Sequence, residues 1–164
     1  MEAEKLVRYH NDVPIEPPKH PGRVVAWLAR QLELAVATVD LTLPQYRVLL
    51  LLGEGKEAAS GLAEKLAVSR PSVTGVVDGL VARGLVARHH DSEDRRRVGH
   101  DLTDQGRRVL ELADAEVERR LSEIAGHRPD CAATAYDGLG AWREALDAYR
   151  TERRARARVP VAPR

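Results

Sequence analysis

The chain has 164 residues, enough for one compact core and too few to require two independent ones. Its 26 Lys and Arg are nearly cancelled by 25 Asp and Glu, so bulk charge excludes a uniformly basic coat, and any nucleic-acid partner must be met by local clusters. With 43% apolar residues but only 4% aromatic and no Phe, the core has to be built from Leu, Val and Ala, which favours packed helices over an aromatic-rich β-sandwich.

In chain order, residues 1–22 read as an arm, polar from Tyr9 onward and carrying Pro14, Pro17, Pro18 and Pro21, which oppose a helix. Val25, Leu28, Leu32, Val36 and Val39 then recur on one helical face, predicting a first amphipathic helix over residues 23–42. Pro44 suits the first turn of a second helix that runs through Tyr46 and the apolar block Val48 to Leu52 and stops at Gly53-Glu54-Gly55. After a short loop, Ser60 is positioned to cap a brief helix bearing Leu62, Ala63 and Leu66. Ser69 is positioned to cap another, with Pro71 in its first turn. Two short helices joined this closely outline a helix-turn-helix.

The second of them carries Val73, Val76, Val77, Leu80 and Val81 on one face and Ser72, Thr74, Gly75 and Asp78 on the other. Gly84 is placed for a left-handed cap. Leu85 to Arg88 then reads as a strand, His89 to Arg97 as a charged turn and Val98 to Leu102 as a returning strand, with Val98, His100 and Leu102 on one side. Strand, turn and strand make a β-hairpin wing. Thr103 is a good cap for a long helix with Val109, Leu110, Ala113, Val117, Leu121 and Ile124. After a break at Gly126 to Pro129, a last helix carries Leu139, Trp142, Leu146 and Tyr149. The expected fold is therefore mainly α with a small β-hairpin wing. It divides into the arm (1–22), a first long helix (23–42), a winged helix-turn-helix (43–102), C-terminal helices (103–157) and a basic tail (158–164).

A helix enters the major groove of B-DNA when its outer face is small or hydrogen-bonding. Arg70, Ser72, Thr74 and Gly75 meet that requirement, and the first turn also favours a phosphate through its free N–H groups. The hairpin tip adds Arg95, Arg96 and Arg97, able to neutralise phosphates or enter the minor groove.

From Leu43 to Gly106 the sequence resembles the multiple antibiotic resistance regulator (MarR) family. The resemblance rests on Leu62-Ala63, the run Ser69 to Thr74, Val77-Asp78-Gly79-Leu80 with Gly84-Leu85-Val86, and above all Asp91-Ser92-Glu93-Asp94-Arg95-Arg96 closing on Leu102-Thr103-Asp104-Gln105-Gly106. It implies a winged helix-turn-helix repressor whose long flanking helices intertwine in a homodimer and give a dimerisation role to residues 23–42 and 103–157. It further implies a near-palindromic double-stranded DNA operator and often a small-molecule effector. Asp94 is expected to orient Arg96 toward DNA. Gly75 departs from relatives that place a long polar residue there, which moves base reading toward Arg70, Ser72, Thr74 and the wing. Gly99-His100 departs from the usual aliphatic pair, and a covered histidine needs a partner, either local packing or a pH-sensitive or effector contact.

Other chemistry is poorly served. Trp27 and Tyr46 suit either core packing or an effector pocket between the first two helices, with His100 as a further candidate. Cys131, the only cysteine, rules out an intrachain disulfide and a CxxC metal knuckle and points to a reducing compartment, the cytoplasm. Its neighbours Asp130, Ala132 and Ala133 supply no cation, so an inert thiol is expected. No metal site and no cofactor are expected, since only His89-His90 are close in sequence and adjacent strand residues face opposite ways. The acidic N-terminus is no signal peptide, and the longest apolar run, Val48 to Leu52, is far too short to span a bilayer, so no membrane partner is expected. An enzyme would need a phosphate loop, nucleophile elbow or acid–base pair, none of which is legible. The alternative to a DNA-binding regulator is a winged-helix protein-interaction module. The run from Arg153 to Arg158 suits a frayed helix end or added phosphate contacts.

Overall fold

A computed structural model describes residues 17–55, 57–90 and 98–157. The element order is α1 (Pro21–Ala37), α2 (Leu43–Gly53), β1 (Glu57–Ala58), α3 (Ala59–Leu66), α4 (Arg70–Ala82), β2 (Val86–His90), β3 (Val98–Leu102), α5 (Asp104–Gly126) and α6 (Ala132–Ala157). The fold is mainly α with a small antiparallel sheet, as expected. Two compact units are distinguished, Pro18–Leu121 and the segment from Ser122 onward.

In the first unit, α1 begins at Pro21, two residues earlier than the expected boundary of the arm, because proline at the first helical position forfeits no hydrogen bond. Leu43 and Pro44 open α2 behind a complete capping box. The Thr42 hydroxyl accepts from the Gln45 N–H, and the Gln45 side chain accepts from the Thr42 N–H. One core is formed by Val36, Leu41, Tyr46, Val48, Leu49, Leu52, Leu62, Val73, Val77, Leu80, Leu85, Val86, Leu102 and Ala113. Leu, Val and Ala supply nearly all of it, so the aromatic-poor composition is matched by aliphatic packing.

Two local readings of the sequence are corrected. Ser60 does not cap α3. The N-cap is Ala58, in extended geometry and without a side-chain hydrogen bond, and Ser60 lies inside the first turn. The cause is β1, a two-residue strand not expected from the sequence, which pairs Glu57 with His100 and Ala58 with Gly99 and feeds straight into α3. The sheet therefore has three strands in the order β1-β3-β2 rather than a bare hairpin. The second correction concerns β2, which continues to His90, where a turn from His89 was expected. Its register runs from Val86 opposite Leu102 to His90 opposite Val98.

Where the helix-turn-helix meets α5, two sequence signatures lock together. Gly84 adopts φ +70° after α4, a left-handed conformation that glycine takes without strain. The Thr103 hydroxyl donates to the Gly84 carbonyl at 2.7 Å and accepts from the Gly106 N–H at 3.0 Å, capping α5. A Cβ on Gly106 would collide with the Leu85 backbone carbonyl, so only glycine lets the first turn of α5 approach β2 this closely. Gly-Leu-Val and Leu-Thr-x-x-Gly are thus two halves of one joint.

In the second unit, the chain turns after α5 through hydrogen bonds from His127 N to the Ile124 carbonyl and from Cys131 N to the Arg128 carbonyl. The Ser122 and Tyr136 hydroxyls meet at 3.1 Å across the turn. No described residue of α6 is buried. Leu139, Trp142, Leu146 and Tyr149 stand exposed along it at three-four spacing.

Candidate nucleic-acid interface

The site is built on α4. Val73, Val77 and Leu80 are buried in the core and anchor one face of the helix. That rotation leaves Arg70, Pro71, Ser72, Thr74, Gly75 and Asp78 exposed on the other face. Ser69 caps the helix as expected, its hydroxyl accepting from the Ser72 N–H at 3.3 Å and meeting the Ser72 hydroxyl at 2.7 Å. The Thr74 hydroxyl donates back to the Arg70 carbonyl at 3.0 Å. Nothing lies within 4 Å of a Cβ built on Gly75, so the middle of the exposed face is open. Arg70 borders a shallow depression of about 520 Å³ together with Ser60, Gly61, Ala63, Glu64 and Val68, at the junction of α3 and α4.

Arg70, Ser72, Thr74 and Gly75 are therefore brought onto one exposed face. Asp94, Arg95, Arg96 and Arg97 lie outside the described residues. An ion pair not read from the sequence links α4 to β2: Arg88 of β2 donates to the Asp78 carboxylate. Its signal was available, an acid one turn beyond Thr74 and a cation on the next strand, but only the packing of β2 against α4 joins them.

His100 has the local partner that a covered histidine needs. It is 5% exposed, at the centre of the sheet, with Nδ1 3.3 Å from the Glu57 carbonyl. Burial pulls its pKa below the ordinary histidine value, with the Glu57 hydrogen bond opposing and Arg88 adding to the fall. Tyr46 is buried in the core, its hydroxyl donating to Asp114 of α5 at 2.6 Å. Burial first and then that hydrogen bond push its pKa far up. Trp27, by contrast, is 69% exposed on α1. The three candidates for an effector pocket thus occupy different settings: two are covered and engaged, one is open.

Cys131 also departs from expectation. A cation does reach it, Arg128 Nη2 at 3.2 Å, brought round by the turn rather than by sequence adjacency. The thiol nevertheless stands above its ordinary pKa, because desolvation and its hydrogen bond to Asp130 outweigh Arg128. Asp130 itself is held far below the usual carboxylate range, chiefly by the Arg128 hydrogen bonds. Among the described residues no group of three His, Cys, Asp or Glu side chains is arranged to hold a metal. Among the same residues no helix is long and apolar enough to cross a membrane.

A model of the MarR family matches residues 39–97, the stretch from the end of α1 into the wing. The uncharacterized HTH-type transcriptional regulator YfiV of Bacillus subtilis is 32% identical over 119 residues, covering 70% of this chain and 72% of YfiV. The chain belongs to the MarR family. Its members named here are transcriptional regulators, not enzymes. YetL of the same species, an HTH-type transcriptional repressor, is 34% identical over 70 residues, 41% of this chain and 42% of YetL. CouR from Rhodococcus jostii, in a structure bound to p-coumaroyl-CoA, is 28% identical over 78% of this chain and 87% of its own, with a TM-score of 0.62. A structure of the repressor CouR bound to a 23-mer DNA duplex is 32% identical over 74% of this chain and 89% of its own, with a TM-score of 0.58.

Proposed function

We propose that this MarR-family regulator is a cytoplasmic homodimer that represses transcription by setting the two copies of α4 into successive major grooves of a near-palindromic operator. The observation that carries this reading is the exposed face of α4, where Arg70, Ser72, Thr74 and Gly75 surround an open centre. Arg95, Arg96 and Arg97 supply phosphate or minor-groove contacts from the wing, with Asp94 orienting Arg96. The apolar stripe on α6, in which Trp142 is 66% exposed, supports a second copy as its cover, since a free chain seldom leaves such a stripe in water. Two-fold pairing would place the recognition helices about 34–36 Å apart, one turn of DNA. CouR has been captured with p-coumaroyl-CoA in one structure and with DNA in another. A small-molecule effector that relieves repression is accordingly part of the reading. Of Trp27, Tyr46 and His100, only Trp27 is exposed to contact it directly.

Selection from a random duplex library with the full-length protein tests the reading, followed by titration of the selected duplex at two salt concentrations. The expected outcome is a preferred inverted repeat bound with steep salt dependence, and a salt slope reduced by about 1 for each copy of Arg96→Ala engaged. Light scattering should return the mass of a dimer. A salt-insensitive protein with no preferred duplex would instead be a protein-interaction module, and the regulator reading would be abandoned.

A further inference from the structure

Which base edges would the outward face of α4 recognise? The answer lies in where its protons already go. The Thr74 hydroxyl proton is committed to the Arg70 carbonyl, so toward solvent this side chain presents oxygen lone pairs and a methyl group. One turn later stands Asp78, an acceptor whose side chain remains 54% exposed while Arg88 pairs with it. Between them Gly75 offers open space. Pro71, Gly75, Gly79 and Ala82 have no polar side chain, so Arg70 at the first helical position is the only cationic side chain on α4.

We infer that Thr74 and Asp78 form an acceptor-and-methyl reading strip, directed at the exocyclic amino groups of adenine or cytosine and at the thymine methyl, and away from the acceptor edge of guanine. The inference deepens, and rests on, the reading of α4 as the helix that enters the major groove. In that groove adenine N6 and cytosine N4 are donors, thymine carries the C5 methyl, and guanine shows only the acceptors N7 and O6. An acceptor-only strip pairs with the first set and leaves guanine O6 and N7 unmatched. Thr74 and Asp78 lie four residues apart, roughly 6 Å along the helix axis, near two base-pair steps. Arg88 fulfils a positioning role here. Without it, the Asp78 carboxylate would meet the phosphate field unneutralised; with it, the acceptor is held in place and its charge is offset. Gly75 lets the helix backbone come close enough for two short side chains to reach.

The test begins with the duplex selected by the full-length protein and deletes single groups from it: purine for adenine removes N6, uracil for thymine removes the methyl, and 7-deazaguanine removes N7. The expected result is an about tenfold loss of affinity at one or two positions per half-site on removing an amino or methyl group. Asp78→Ala, which removes the acceptor, should abolish the amino-group discrimination, and Thr74→Ala both the amino and the methyl discrimination at its own position. Each variant should retain within about threefold the affinity for the already deleted duplex, a readout that a merely unfolded helix would not give. Gly75→Arg, which fills open space with donors, should add a preference for guanine. The inference is overturned if both variants keep the wild-type discrimination, if they weaken all duplexes equally, or if the dominant loss is on 7-deazaguanine and survives Arg70→Ala. A selection that returns no sequence at all removes the DNA reading and this inference with it. A selected operator whose group deletions are blind to both variants removes only the inference.

Discussion

The lobe from Pro18 to Leu121 and the helix α6 are made of similar residues and use them in opposite ways. In the lobe, Leu49, Leu52, Leu62 and Leu80 are closed off by neighbours from the same chain. On α6, Leu139 and Leu146 are nearly half exposed and Trp142 is more open still, although their three-four spacing is as regular as that of α4. Amphipathic periodicity therefore announces that a helix has a partner without saying whose chain supplies it. The difference also separates tasks: the lobe anchors the proposed reading helix by its buried face, and the α6 stripe is the proposed seat of the second copy.

That contrast can be broken by removing the same side chain from both regions. Leu49→Ala opens a cavity in a closed core and should lower the free energy of unfolding by about 2–5 kcal/mol in urea titration. Leu146→Ala should leave the unfolding free energy of the dilute protein within about 0.5 kcal/mol but make the urea midpoint less dependent on protein concentration, because a weaker dimer adds less linkage stability. Equal losses from the two variants would show that α6 is already covered within one chain.

A smaller effect sharpens the account of how the lobe is joined to α5. Gly106→Ala sets a methyl group against the Leu85 carbonyl, a backbone atom that cannot swing aside, and should cost on the order of 1–3 kcal/mol despite the better helix propensity of alanine. Gly75→Ala is its counterpart on the same lobe. With nothing within 4 Å of the added carbon, only the propensity remains, and stability should rise by about 0.5–1 kcal/mol. Opposite signs from two helical glycines, read in one set of denaturation curves, would separate a packing glycine from a clearance glycine.

The smallest expected effect concerns pH. The folded-state pKa of His100 lies below its unfolded value of about 6.5, so the unfolded chain takes up the proton first. Stability from this group is complete above pH 6.5 and declines as the pH falls from there toward the depressed folded value. His100→Gln, compared by thermal melts at pH 7.5 and 5.5, should lose less stability on acidification than the parent. An identical decline in both would place the acid sensitivity elsewhere.

Much of the wing's framework was legible because it depends on local rules. Ser69 caps α4, Gly84 takes the left-handed turn, Thr103 caps α5 and the valine stripe of α4 turns inward, each for a reason confined to a few consecutive residues. Errors arose where the decisive neighbour was distant or the signal too short. β1 has two residues, below any periodicity, and exists through pairing with β3 over forty residues later. It also took the capping role expected of Ser60.

The sequence by itself determined the helices, the hairpin, the family and which residues of α4 face outward, because each follows from spacing, caps and turn chemistry within one or two turns of chain. Only the tertiary structure decided that Arg88 pairs with Asp78, that Tyr46 is pinned to Asp114 and that His100 is covered by the Glu57 strand. Those contacts depend on where separate elements meet. The geometry of that meeting is set by the packing of the whole core and is written in no single stretch of the chain.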